Sequence, residues 1–182
     1  MRVLIVDGYN VIHAWPSLKA VLNTAGLEEA RRRLISELSE HAAVSQVRTT
    51  VVFDGPRRRQ PSGPPEVVDG VTVMFSGRAG SADHLIERLA YDAARAGDAA
   101  DVTVATSDRL QRDMVRAMGV STIDARSLEA EVRAALADTG TAAERTRDQA
   151  RFARRIEHHV DAATRARLEE LRRGRGGDDA GG

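Results

Sequence analysis

Acidic side chains punctuate this sequence at recurrent places. Asp7 follows the apolar run Val3-Leu4-Ile5-Val6, Asp54 follows Val51-Val52-Phe53, and Asp108 follows Val102 to Thr106 by way of Ser107. Asp83 opens a helical stretch beyond the run Val71 to Phe75 and a turn from Ser76 to Ser81. If the apolar runs are parallel strands, their C-terminal ends share one edge, where ligands gather in open α/β sheets. At least three of these carboxylates then converge. Crowded carboxylates repel and desolvate one another, and they stay ionised at neutral pH only with a cation among them. Oxygen-only ligation, in a chain without cysteine, suits a hard ion such as Mg2+ or Mn2+. Such an ion polarises a phosphodiester and activates water to attack it. The constellation fits phosphodiester hydrolysis.

Each aspartate also has a plainer reading. Asp54-Gly55-Pro56 is a turn sequence. Asp83 and Asp108 suit helix N-termini, where free N–H groups and the dipole favour a carboxylate. Taken singly, capping is the stronger reading of those two. Asp7 differs, because it ends a buried run and a turn is expected after it. Gly8 makes that turn sharp, and Asn10 can reach back toward the same edge. Asp113, one turn into its helix, is a weaker candidate that faces solvent. Ser107 reads equally as a helix cap or as a contact to phosphate. Tyr9 and Trp15 offer faces for stacking on a base, against ordinary packing in the core or at its rim. Arg57-Arg58-Arg59 lies just beyond Asp54 and reads as a phosphate-contacting patch, against a merely solvated loop. The glycines form no dinucleotide fingerprint and no Walker A loop, so no organic cofactor is expected.

The elements that must carry these residues follow from periodicity. Val3 to Val6, Thr49 to Phe53, Val71 to Phe75, Asp101 to Thr106 and Val120 to Ile123 are apolar, β-branched runs that read as strands. Between the first two, Pro16-Ser17 starts a short helix, and Leu27, Ala30, Leu34, Leu38 and Ala42 recur at helical spacing. A further helix opens at Asp83 and buries Leu85, Ile86, Leu89 and Ala93. Another follows Asp108 with Leu110, Met114, Val115 and Met118, ending at Gly119, and a last one spans 126–138. The order is β-α-β-β-α-β-α-β-α. Alternation of this kind predicts a mostly parallel sheet between helices, joined by right-handed crossovers.

Bulk properties narrow the rest. The 182 residues suffice for one domain and an extension. Basic and acidic side chains balance at 27 each, so net charge says nothing of partners, but its distribution does. Residues 1–139 carry 17 basic and 19 acidic side chains, a balance of −2, whereas 140–175 carry 10 and 6, a balance of +4. The absence of cysteine excludes disulfides and thiol catalysis. No apolar run approaches the ~20 residues of a membrane span, and the opening run lacks a cleavage-site pattern. A cytoplasmic chain with no membrane partner is expected. Its domains are expected at 1–138, with an Arg-rich helical extension at 139–173 and a disordered tail at 174–182.

Leu4-Ile5-Val6-Asp7-Gly8-Tyr9-Asn10 with Ala14-Trp15-Pro16, then Val51-Val52-Phe53-Asp54, Ser81-Ala82-Asp83 and Val104-Ala105-Thr106-Ser107-Asp108, form an ordered set of motifs. It resembles the YacP-like NYN-domain endoribonucleases of the PIN-like superfamily, over about Arg2 to Ala137, and the end of the tail is similar as well. The resemblance implies a PIN-like, Rossmann-like three-layer α/β/α fold and Mg2+- or Mn2+-dependent cleavage of single-stranded RNA. For some members of the family it implies messenger RNA as substrate and the ribosome as partner. By motif, Asp7, Asp83 and Asp108 would be metal-coordinating acids, Asn10 and Ser107 supporting polar groups, and Asp54 the second-strand acid. One departure stands out: many PIN-like proteins carry a second acid after the residue matching Asp83, and here it is His84.

The expectation is therefore a nuclease in which carboxylates hold the ion, a water attacks the phosphate, and Arg57, Arg58, Arg59 and Ser107 contact RNA. A non-catalytic RNA-binding NYN protein is the alternative, and His84 is the feature in its favour. An aspartyl-phosphate phosphatase would need a second acid two residues after its nucleophile. Tyr9 occupies that position, which sets this rival aside.

Overall fold

The first strand, β1 (Val3–Asp7), holds the middle of a six-stranded sheet ordered β3-β4-β2-β1-β5-β6. The computed structural model describes residues 1–55, 64–77 and 80–137. Arg57, Arg58 and Arg59, the expected boundary at 138, the extension 139–173 and the tail 174–182 lie outside the described residues. After β1 come α1 (Gly8–Ala14), α2 (Pro16–Ala25), α3 (Leu27–Ser45), β2 (Arg48–Phe53), β3 (Glu66–Val68) and β4 (Val71–Phe75). Then follow α4 (Ala82–Ala96), a 3-10 turn (Ala99–Asp101), β5 (Val102–Ala105), α5 (Arg109–Ala117), β6 (Ser121–Ile123) and α6 (125–137).

The sheet is parallel except at β3, which pairs antiparallel with β4. Alternation along β1 sends Leu4 and Val6 to one face and Ile5 to the other. On the first face Trp15, Leu18, Leu34, Leu38, Leu128 and Val132 close over the strands. On the second, Ile86, Ala90 and Val115 pack against Ile5, Val52 and Val104. Helices thus cover both faces, as a parallel sheet requires. Trp15 is fully buried and its indole N–H donates to the Ala125 carbonyl at 2.6 Å, so it ties α1 to α6 and offers no stacking face. Among the described residues no helix is long and apolar enough to cross a membrane.

Local details depart from the sequence reading in four places. Gly8 begins a helix instead of a turn. The hairpin into β4 contains an extra strand: Val68 pairs with Val71 across Asp69-Gly70, whose φ values of 48° and 83° make the tight turn favoured by Asp-Gly. In α3 the buried stripe runs through His41 in place of Leu27 and Ala42, because Leu27 sits at the exposed start of the helix. In α5 Leu110 is 72% and Met114 40% exposed, while Gln111 and Val115 face inward.

His41 has a thermodynamic consequence. Burial, above all, pushes its imidazole below the ordinary histidine range; Glu131 acts against this and Arg2 adds to it. The folded state therefore binds this proton less tightly than the unfolded chain, and His41 costs stability as pH falls from about 6.5 toward the lowered value. His41→Leu should flatten the fall of melting temperature between pH 7 and 5. An unchanged pH profile would refute that assignment.

Candidate active site

Because β1, β2, β4, β5 and β6 run parallel, their C-terminal ends share one edge. Asp7 closes β1 and caps α1, with Oδ1 accepting from the Asn10 backbone N–H at 3.1 Å. The expectation of a turn here fails because Gly8 enters the helix directly. Its lack of a side chain matters for space: a Cβ would press into the Phe53 ring. Asp108 caps α5 and accepts from the Gln111 N–H at 3.1 Å. Asp83 lies in the first turn of α4, whose cap is Ser81.

Electrostatics bring Asp7, Asp83 and Asp108 together. The Asp7 carboxyl is held above the usual carboxylate range, first by burial and then by the charges of Asp83 and Asp108, against backbone N–H groups of Asn10 and Tyr9. Asp7 is half-buried and the other two are exposed. Asp7 feels the charge of each, but the expected convergence of three carboxylates is not met: among the described residues no three acidic or histidine side chains form a group that could hold a metal ion as they stand. An ion that keeps several waters tolerates that spacing.

Asp124 provides the contrast. It also follows a parallel strand, but it caps α6: Oδ1 accepts from the N–H groups of Arg126 at 3.0 Å and Ser127 at 2.9 Å, and Oδ2 from the Ser127 hydroxyl at 3.1 Å. Its carboxyl is held below the usual range, chiefly by the Ser127 N–H. A carboxylate used only as a cap looks like Asp124. Asp7 does not.

The remaining candidates take definite places. Asn10 Oδ1 accepts from the Ser107 N–H at 2.9 Å, which fastens the β5–α5 connection to α1. Ser107 Oγ accepts from the Ala125 N–H at 3.3 Å, so it serves the start of α6, while Asp108 serves α5. Asp54 accepts from the Ser76 hydroxyl at 2.7 Å, and that hydroxyl accepts from the Gly55 N–H at 3.1 Å. Asp54 is thus pinned to the end of β4. Asp113 is exposed on α5. Tyr9 packs on Phe53, with ring centroids 5.3 Å apart, under the Arg31 guanidinium 5.8 Å away.

One participant escaped the sequence reading. Gln111 is 3% exposed, and its amide donates to Asp83 Oδ1 at 2.8 Å. Among the described residues its Oε1 is buried with no hydrogen-bond partner, at a cost of about 1–3 kcal/mol. The signal was present: Asp108-Arg109-Leu110-Gln111 has capping-box spacing.

A family model for the YacP-like NYN domain matches residues 4–173. The chain belongs to that family. The uncharacterized protein YacP of Bacillus subtilis strain 168 is 36% identical over 137 residues, 72% of this chain and 75% of that protein. The crystal structure of Rae1 (YacP) from Bacillus subtilis matches with a TM-score of 0.65 at 30% identity, covering 100% of this chain and 99% of that one. A crystal structure of a tryptophan-to-leucine mutant of Rae1 matches with a TM-score of 0.59 at 33% identity, covering 96% of each chain. The six-stranded, mostly parallel α/β architecture is that of YacP. NYN domains are a nuclease-type family, and their biochemistry is RNA-related.

Proposed function

We propose that this NYN domain is a metal-dependent endoribonuclease that hydrolyses single-stranded RNA. The observation that carries the reading is the half-buried Asp7 carboxyl, elevated in part by the charges of Asp83 and Asp108 at one sheet edge. Three carboxylates from three elements, with oxygen donors only, fit a hard divalent ion. Asp7, Asp83 and Asp108 would hold Mg2+ or Mn2+. Such an ion supplies positive charge to the phosphate and lowers the pKa of water there.

The chain's own residues do the rest. Asn10 keeps Asp7 and the β5–α5 connection in fixed relation. Asp54, locked by Ser76, borders the edge where RNA would enter. Arg57, Arg58 and Arg59 follow Asp54 in sequence and suit the phosphate backbone. Messenger RNA as substrate, the ribosome as partner and the cytoplasm as location are the finer parts of the proposal. His84, the feature that favours the non-catalytic alternative, lies with its Nδ1 3.0 Å from Ser81 Oγ in the capping box of α4, so it takes part in starting that helix and supplies no second carboxylate.

Cleavage of a mixed-sequence single-stranded RNA with Mn2+, with Mg2+ and with chelator tests the proposal. Wild type should cut only with the ion, Asp83→Asn should lose the activity by about 100-fold or more, and Asp124→Asn should retain it. Ion-independent cutting, or Asp83→Asn cutting at the wild-type rate, would refute the mechanism.

A further inference from the structure

We propose that Gln111 is a positioning residue that sets the spacing of Asp83 and Asp108 for cation binding. The inference rests on the reading of this edge as a divalent-ion site, and it concerns a residue outside the expected ligands. In a capping box, the residue three places into the helix turns its side chain back to the N–H of the cap. Gln111 has that position, and its own N–H does bond Asp108 Oδ1 at 3.1 Å. Its side chain goes elsewhere. The Asp108 N–H is satisfied instead by Thr106 Oγ1 at 3.2 Å, which releases the Gln111 amide to reach Asp83 Oδ1 at 2.8 Å, on a different helix.

A single residue therefore holds one carboxylate with its backbone and the other with its side chain. Both hydrogen bonds go to Oδ1, and among the described residues Oδ2 of Asp83 and of Asp108 carries none. The orientation of the amide is fixed by chemistry, because an oxygen turned toward the carboxylate would face another acceptor. That orientation leaves Oε1 buried and, among the described residues, unpartnered. A residue kept only for packing would do better as an apolar side chain of the same length. Groups outside the ligand shell that orient the ligands commonly alter metal affinity 10- to 100-fold when removed.

Gln111→Met keeps the length and removes the donor. Mn2+ binding to the full-length protein, measured by titration calorimetry, should weaken about 10-fold, while the melting temperature without ions stays level or rises. RNA cleavage at limiting Mn2+ should fall in proportion and recover at saturating Mn2+. If Gln111→Met does not fold, Gln111→Asn, whose shorter amide cannot span to Asp83, should show the same loss of affinity. Unchanged Mn2+ affinity in the folded variant overturns the proposal, whatever happens to its melting temperature. Wild type that binds no Mn2+ overturns it together with the ion-site reading. Loss of affinity in a protein that cuts no RNA supports the positioning role and overturns only the nuclease reading.

Discussion

Asp7→Asn should remove metal-dependent RNA cleavage and, without ions, give a more stable protein than the wild type. The two effects share one cause. Asp7 is half-buried at the end of β1, and burial together with Asp83 and Asp108 raises its carboxyl above the ordinary range. The folded state thus holds that proton more tightly than the unfolded chain. Its contribution to stability is greatest below the unfolded value and falls as pH rises through the window up to the raised folded value. At neutral pH the full cost of the anion is present. Asparagine removes the charge and keeps an acceptor for the Asn10 N–H, since asparagine caps helices as well as aspartate does.

The expected gain at pH 7 is about 1 kcal/mol, a few degrees in melting temperature, and it should shrink in acid. Cleavage should fall on the order of 1,000-fold, equivalent to about 4 kcal/mol of lost transition-state stabilisation. Added Mn2+ should raise the wild-type melting temperature and leave the variant nearly unmoved. Calorimetric scans across pH, with and without Mn2+, check the whole set. An Asn variant that melts below wild type at pH 7 without ions would show that the Asp7 charge is already compensated inside the fold.

What the sequence made legible was the edge itself. A continuous β-branched run can be buried only in a helix-covered sheet, so the residue after it must lie at the strand's end. Asp7, Asp54 and Asp108 could be placed on that logic alone. What it concealed depends on distance and on the third dimension. Gly8 followed by Tyr9 and Asn10 has the local chemistry of a turn, and only the Phe53 ring explains why a glycine starts the helix. Leu110 and Met114 satisfy helical periodicity, yet the Asp108 cap sets the phase so that Gln111 turns inward. Hydrophobic patterning counts glutamine as a surface residue, and its partner Asp83 lies 28 positions away. Polar groups buried for the site's sake break the pattern by which cores are read.

Gly8→Ala should be among the most damaging single-methyl changes in the chain, although alanine normally favours a helix over glycine by about 1 kcal/mol. Gly8 opens α1 and is buried. A Cβ there would lie 2.5 Å from Phe53 Cδ1 and 2.9 Å from Cζ, with Cε1 nearer still. The ring has little room to yield, since Tyr9 lies 5.3 Å from it, Phe75 5.7 Å, and the Arg31 guanidinium 5.8 Å. Helix α1 must move instead, and it carries Asn10 with it and pulls on Asp7, its cap at the end of β1. Overpacking of this kind costs about 1–3 kcal/mol, which outweighs the helical preference. A shift near 1 Å at a catalytic edge costs about 100-fold in rate. Phe53→Leu in the same chain should restore part of both losses, because the shorter side chain clears the space that the methyl needs. The pair should then be less damaging together than the sum of the two single changes. Denaturant melts and cleavage rates on all four proteins decide it: additive effects would mean that Gly8 is required for some reason other than the Phe53 ring.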